Sequence, residues 1–321
     1  MNNLIPKFKI IKGCFLFVVY VAIFIFLLKY ISSNQEVMSR IHNASPALVV
    51  LGIACIFFSL ILTGLMDVTC IKAYNIQIRC WESVGLTYLA SALNLIFPLQ
   101  MGSILKAVYF KRKINLGYTK YISIVSGTTV INLMVTFVIL IGCLILSSLR
   151  WNLESYLIFL LILIFVIALL SFALVIKFQD IVLRFLPFKK ISVPIMQGFF
   201  ILLKNRRVVT LTTLNLLFSS FLGGIQFTLI FKMLGFGGDL LNGLLYYGIY
   251  TASTIIPILP GNIGISEMLV GLLNTILGSD FDIGVTVVLV SRIYYYLVSI
   301  AGAILAILPI TLSASRSFKK S

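Results

Sequence analysis

Acidic residues are scarce in this chain: 9 Asp and Glu stand against 25 Lys and Arg among 321 residues, with a single histidine. That one histidine, His42, falls in a short loop, so His-based metal binding and proton transfer are not expected. The five cysteines (Cys14, Cys55, Cys70, Cys80 and Cys143) are odd in number, lie mostly in apolar segments and form no CxxC pair. Neither a disulfide framework nor a zinc site is indicated, and no metal or cofactor is expected. Charge of any sign is also thin, at 11% of residues against 60% hydrophobic, and the mean hydropathy is +1.12. No stretch is polar enough to form a soluble domain, so residues 1–321 read as a single integral membrane domain of the all-α polytopic class.

In a soluble protein the net charge of +16 would raise the question of nucleic acid. Here the cations sit in short loops between apolar runs, where Lys and Arg mark the cytoplasmic side, and no nucleic-acid partner is expected. Crossing about 30 Å of hydrocarbon takes about 20 helical residues. Six segments meet that need: 13–31, 47–66, 121–147, 155–177, 208–232 and 284–309. The first has Lys7, Lys9 and Lys12 before it and no small-residue cleavage site after it, and is read as a retained signal anchor with its N-terminus in the cytoplasm.

Two further apolar regions, 83–105 and 243–278, are interrupted by Pro and Gly and fit a crossing poorly. The first is flanked by Lys72 and Arg79 on one side and by Lys106, Lys111, Arg112, Lys113 and Lys120 on the other, so both ends look cytoplasmic. The second is flanked by Asp239, Asp280 and Asp282, and its ends look external. Re-entrant broken-helix hairpins satisfy both patterns, because non-helical backbone at depth is tolerated where protein or water surrounds it. The basic connection 177–207 and the tail with Arg316, Lys319 and Lys320 then place both termini inside.

The two interruptions share a pattern. FPLQMGSILK (97–106) and LPGNIGISEM (259–268) align Pro98, Gln100, Met101 and Gly102 with Pro260, Asn262, Ile263 and Gly264. Each proline lies about 50 residues from either end of a span, hairpin, span unit, 47–147 and 208–309. The units begin on opposite sides of the membrane, and the segment 155–177 supplies the extra crossing that inversion requires. Inverted repeats with broken helices are how transporters place a site near the midplane.

Proline withholds a donor and glycine permits turns closed to other residues, so the helix resuming after Gly102 or Gly264 points its N-terminus inward. Free N–H groups there suit an anion such as phosphate. Gln100 and Asn262 either bind a head group or satisfy the opened backbone. Three ionisable residues lie nearby: Lys106, Glu267 and Arg292. In one reading Lys106 and Arg292 attract a lipid phosphate while Glu267 positions Arg292; in the other, Glu267 and Arg292 form a structural ion pair and Lys106 snorkels to the interface. Tyr246, Tyr247, Tyr250 and Tyr294 to Tyr296 serve as interface anchors or packing, or line a sugar or acyl path.

At these residues the chain resembles the family of lysylphosphatidylglycerol synthase transmembrane regions, often described as flippase-like. LPGNIGISE (259–267) looks like the family's PGGxGxxE motif, SRIYYYL (291–297) supplies the later arginine, and FPLQMGSILK looks like the first-half motif with Lys106 where Arg is more usual. An acid that often follows the first glycine is Ser103 here, and a charged cluster in the next span is replaced by SGTTVINLMV (126–135). The family's aminoacyl-transferring enzymes add a large soluble domain, so this chain alone is not expected to aminoacylate lipid. The resemblance implies a lipid translocase of the bacterial inner membrane, acting on a phospholipid or a polyprenyl-phosphate-linked lipid in envelope or surface-glycan biosynthesis. Two other classes stay open: an accessory subunit for a glycosyltransferase or other envelope enzyme, and a lipid-linked group transferase in its own right.

Overall fold

Pro46 opens the first long helix at a position where its missing N–H costs nothing. The computed structural model describes residue 39 and residues 44–96, 101–151, 189–254 and 263–318. Every regular element among them is an α-helix: α1 Pro46–Lys72, α2 Cys80–Ile96, α3 Met101–Ile114, α4 Tyr118–Trp151, α5 Lys189–Lys204, α6 Arg206–Met233, α7 Leu240–Ser253, α8 Ile265–Ile276 and α9 Phe281–Phe318. Caps set several starts. The Asn205 side chain accepts from Val208 N–H at the head of α6, and Asp239 accepts from Asn242 N–H at the head of α7. Lys72, Lys232 and the run Lys111 to Lys113 fall in last turns, where cations complement the helix dipole.

Among the described residues, four helices are long and apolar enough to cross a membrane: Pro46–Lys72, Tyr118–Ser147, Arg206–Met233 and Phe281–Thr311. They contain the expected crossings 47–66, 121–147, 208–232 and 284–309. The expected crossings 13–31 and 155–177 lie outside the described residues. The all-α polytopic class is therefore what the structure has.

Each interrupted region is two helices. α2 and α3 replace a single crossing over 83–105, and α7 and α8 replace one over 243–278, while 97–100 and 255–262 lie outside the described residues. Within each pair the helices pack on one another. α2 and α3 run in opposite directions, since Gly102 lies against Ala90, Lys106 against Thr87 and Lys113 against Glu82. A Cβ on Gly102 would stand 1.9 Å from the Ala90 carbonyl oxygen, so only glycine lets α3 approach this closely.

The helix contacts have a two-fold pattern. α1 packs along α6; α2 packs on α1 and on α9, as α7 packs on α6 and on α4. Exchanging α1 with α6, α2 with α7, α3 with α8 and α4 with α9 maps these pairings onto themselves. One apolar core joins Ile56 and Leu60 of α1, Phe227 and Phe231 of α6, Tyr246 of α7, Val270 of α8 and Val287 of α9. A second joins Val68 and Ile71 of α1, Phe110 of α3, Tyr121 of α4, Leu202 of α5 and Ile310 of α9.

The basic connection 177–207 is more structured than its charge implied. Residues 189–204 form α5, which packs on α4; there Tyr74 OH donates to the Gly198 carbonyl at 2.9 Å and Ser123 Oγ to the Ile195 carbonyl at 2.7 Å.

Candidate functional site: two broken helices and their ion pairs

The first broken helix holds Lys106 away from the interface. Lys106 is only 7% exposed; its ammonium stands 2.7 Å from Asp67 Oδ2 of α1 and donates to Thr87 Oγ1 of α2 at 2.9 Å. It does not snorkel, which corrects that alternative. Asp67 lies inside α1 and is the partner of Lys106. The physical reason is that an ammonium in an apolar interior needs a counter-charge, and α1 brings this one within reach.

Glu82 is paired in the same way. It is buried in the first turn of α2, accepts from Lys113 Nζ at 2.7 Å, and accepts from Ser313 Oγ of α9 at 2.7 Å. Lys113 also contacts Ser313 and donates to Tyr109 OH at 3.1 Å, so this network ties α2, α3 and α9 together.

At the start of α3 the Gly102 N–H donates to Asn94 Oδ1 of α2 at 2.8 Å. Asn94 thus occupies a donor that the sequence reading left free for an anion. Pro98 and Gln100 lie outside the described residues, so their roles are not seen.

The second broken helix is organised around Glu267. Gly264 takes φ 92°, a left-handed backbone that favours glycine, and α8 begins after it. The Glu267 carboxylate reaches back to accept from Gly264 N–H at 2.8 Å, and Ser266 Oγ donates to the same oxygen at 3.0 Å. Arg292 of α9 donates through Nη2 to Ser266 Oγ at 2.6 Å, while its Nε stands 2.7 Å from Glu267 Oε1. That last approach is a contact of charges outside directed hydrogen-bond geometry, because both atoms fall short of a hydrogen bond to one another. Both residues are buried, Glu267 at 4% and Arg292 at 6% exposure. The pair seen here is the one both sequence readings invoked. Pro260 and Asn262 lie outside the described residues.

Ser266 was missed in sequence, although its place one residue before the motif's glutamate is visible there. Tyrosines surround the pair. Tyr296 and Tyr250 of α7 lie beside Arg292, and Tyr295 lies near Ser91 of α2. Tyr250, Tyr295 and Tyr296 remain half-buried rather than sealed into the core. Tyr246 is different: it is buried, contacts Asn274 of α8, and packs on Phe231 with ring centroids 4.6 Å apart.

Chemically, this is a pair of buried, internally neutral charge clusters with hydroxyl-rich surroundings, one in each half of the chain. Among the described residues, no three His, Cys, Asp or Glu side chains are grouped to hold a metal ion.

No curated protein matches the chain. A family profile described as the lysylphosphatidylglycerol synthase TM region matches residues 15–302, which span both broken helices, the three ion pairs, three of the long apolar helices and most of the fourth. The protein is a multi-pass membrane protein that belongs to the lysylphosphatidylglycerol synthase transmembrane-region family.

Proposed function

We propose that the protein is a lipid translocase, moving an anionic or polyprenyl-linked lipid between the leaflets of the bacterial inner membrane, with both termini in the cytoplasm. The observation that carries this reading is the exchange pattern of helix contacts, in which each broken-helix pair sits between a span of its own half and the last span of the other. In the proposal, 47–147 and 208–309 are inverted units, the hairpins are re-entrant, and 155–177 supplies the extra crossing. One unit rocks on the other across the α1–α6 contact. The site at α8 is then exposed to each side in turn.

Arg292 is the residue proposed to meet the lipid phosphate. Its guanidinium already spans Ser266 and Glu267. A phosphate can take the place of the single Nε–carboxylate contact and bond the guanidinium through two oxygens, and Glu267 keeps Gly264 N–H as its own partner. Tyr250, Tyr295 and Tyr296 supply hydroxyls for the rest of the head group. Family membership supports lipid processing or movement as the general activity.

The test is a reconstituted scrambling assay. Proteoliposomes with a head-group-labelled phosphatidylglycerol, or a labelled polyprenyl phosphate, in one leaflet are expected to equilibrate it faster than protein-free vesicles, and Arg292→Gln is expected to abolish the gain. Equal rates with and without protein for both lipids would count against translocation. A stoichiometric co-purifying glycosyltransferase would then favour the accessory role.

A further inference from the structure

Among the described residues, the buried and half-buried cations of the helix interior are neutralised, but those exposed at the foot of α3 and α4 are not. Lys106, Lys113 and Arg292 each have a carboxylate at 2.7 Å. Lys111, Arg112 and Lys120 are exposed, and no described carboxylate pairs them; Lys111 Nζ instead sits 4.2 Å from the centre of the Tyr118 ring and Lys120 Nζ 5.7 Å from that of Tyr74. Such cations cost little at a membrane interface, where they attract anionic head groups.

Above this basic foot, α3 and α4 diverge. The connection between them is pinned: Asn115 adopts φ 54°, Leu116 is buried and its N–H donates to the Phe110 carbonyl at 3.2 Å, and Phe110 packs on Tyr121 at 5.7 Å. From there upward the helices touch only sparingly and leave a groove of about 430 Å³. Its walls include Ser103, Ile104 and Ala107 of α3 and Tyr118, Ile122 and Val125 of α4, about one and a half turns of the first and two and a half of the second. That volume falls within the range of about 300–1,000 Å³ for specific ligand sites.

The opening is not repeated at the corresponding seam. α8 packs closely along α9, and a Cβ on Gly284 would stand 2.8 Å from the Val270 carbonyl oxygen. The first half thus keeps open, beside exposed cations, the space the second half closes with glycine.

We infer that the α3–α4 groove binds one anionic phospholipid, its phosphate held by Lys111 at the groove's foot beside Tyr118 and one acyl chain lying along Ile104, Ala107, Ile122 and Val125. Charge complementarity selects the head group, and the apolar walls take the chain. Lys111 lies on the same face of α3 as Ile104 and Ala107, so the phosphate and the chain meet the same helical stripe. Calling this lipid the substrate rests on the translocase reading; the binding site itself does not.

The experiment uses the purified full chain in phosphatidylcholine nanodiscs containing trace phosphatidylglycerol with a photoactivatable acyl chain, and maps the crosslinks by peptide mass spectrometry. Crosslinks are expected in 103–108 and 121–126. Unlabelled phosphatidylglycerol should compete; phosphatidylcholine, inorganic phosphate and polyprenyl monophosphate should not. Lys111→Gln should weaken competition by phosphatidylglycerol roughly fivefold, the scale expected for one cation near a lipid surface, whereas Lys120→Gln, on the opposite face of α4, should leave it unchanged. Ile104→Trp and Ile122→Trp fill the groove from opposite walls at exposed positions. Each should remove the crosslinks while leaving the thermal midpoint unchanged. Equal competition by phosphatidylcholine would show ordinary boundary lipid and overturn the proposal, as would stronger competition by polyprenyl monophosphate, or crosslinks that survive both tryptophans. Loss of scrambling with crosslinking intact would overturn translocation and leave this site standing.

Discussion

Lys106 Nζ and Asp67 Oδ2 stand 2.7 Å apart between α3 and α1, 39 residues apart in sequence and both largely shielded from solvent. This contact fastens a broken helix to a long span. Removing one partner of a buried pair leaves an uncompensated charge, at a cost of about 3–5 kcal/mol, whereas removing both is often close to neutral. Asp67→Asn and Lys106→Met are therefore each expected to lower the thermal midpoint sharply, and the double variant to recover most of it. Size-exclusion profiles of detergent-solubilised protein after heating read this directly. A double variant as unstable as the singles would show that the contact is not the reason the residues matter. A stable double variant that no longer scrambles lipid would assign Lys106 a role in transport.

The second pair yields a different prediction, because Ser266 stands between its partners. Ser266 Oγ accepts from Arg292 and donates to Glu267, so Ser266→Ala takes one hydrogen bond from each, Glu267 keeping that from Gly264 N–H. The expected cost is about 1–3 kcal/mol. Arg292→Lys should cost at least as much, since an ammonium lacks the fork that spans Ser266 and Glu267 together. If Arg292→Lys keeps both stability and scrambling, the guanidinium geometry is not used.

The general architecture was legible in composition and periodicity. Four expected crossings reappear with limits within three residues, except that the first runs six residues further, to Lys72, because hydrocarbon thickness fixes the least length of an apolar helix. The two interruptions were legible as well, since Pro and Gly mark positions where a helix cannot simply continue. What hydropathy could not show was the pairing of Lys106 with Asp67 and of Lys113 with Glu82. Asp67 and Glu82 sit near helix ends, where charges are usually solvated, and only the packing of α1, α2 and α3 turns them inward. Charge accounting offered the one available signal: with so few acids in the chain, a cation buried in the first half had few carboxylates to meet. Asn94 gave no signal of its own, because a polar side chain in an apolar helix can point anywhere until its neighbour is known.

Gly102 makes a prediction with an internal control. Its missing side chain admits the Ala90 carbonyl, and a Cβ there would clash at 1.9 Å with backbone that has no rotamer to change. Gly102→Ala is expected to separate α3 from α2, breaking the Gly102 to Asn94 bond, with a loss at or above the 1–3 kcal/mol typical of overpacking. Gly142→Ala lies on an exposed face of α4 with nothing within 4 Å of the added atom, and should be neutral or slightly stabilising. Comparable behaviour of the two variants in expression and heating would show that the α2–α3 contact is looser than described.

The proposed inversion is tested by accessibility, with single cysteines at Lys113, Ser103, Ser266 and Asp280 on a cysteine-free background in intact cells. Lys113 lies at the basic end of α3 and Asp280 at the exposed turn before α9, so they should label from opposite faces: Lys113 from the cytoplasm and Asp280 from outside. Ser103 lines the α3–α4 groove, whereas Ser266 is fully buried against Glu267 and Arg292. In a rocking mechanism Ser103 should label slowly from the cytoplasmic side, and Ser266 should label only when the α8 end opens, at a rate that lipid substrate changes. Because Ser266 is sealed in the conformation described, any labelling there reports a second conformation rather than surface exposure. Opposite sidedness at Ser103 and Ser266 supports units of opposite orientation. Reaction of both from one face removes the inversion, and with it the reason to place a transport site between the two halves.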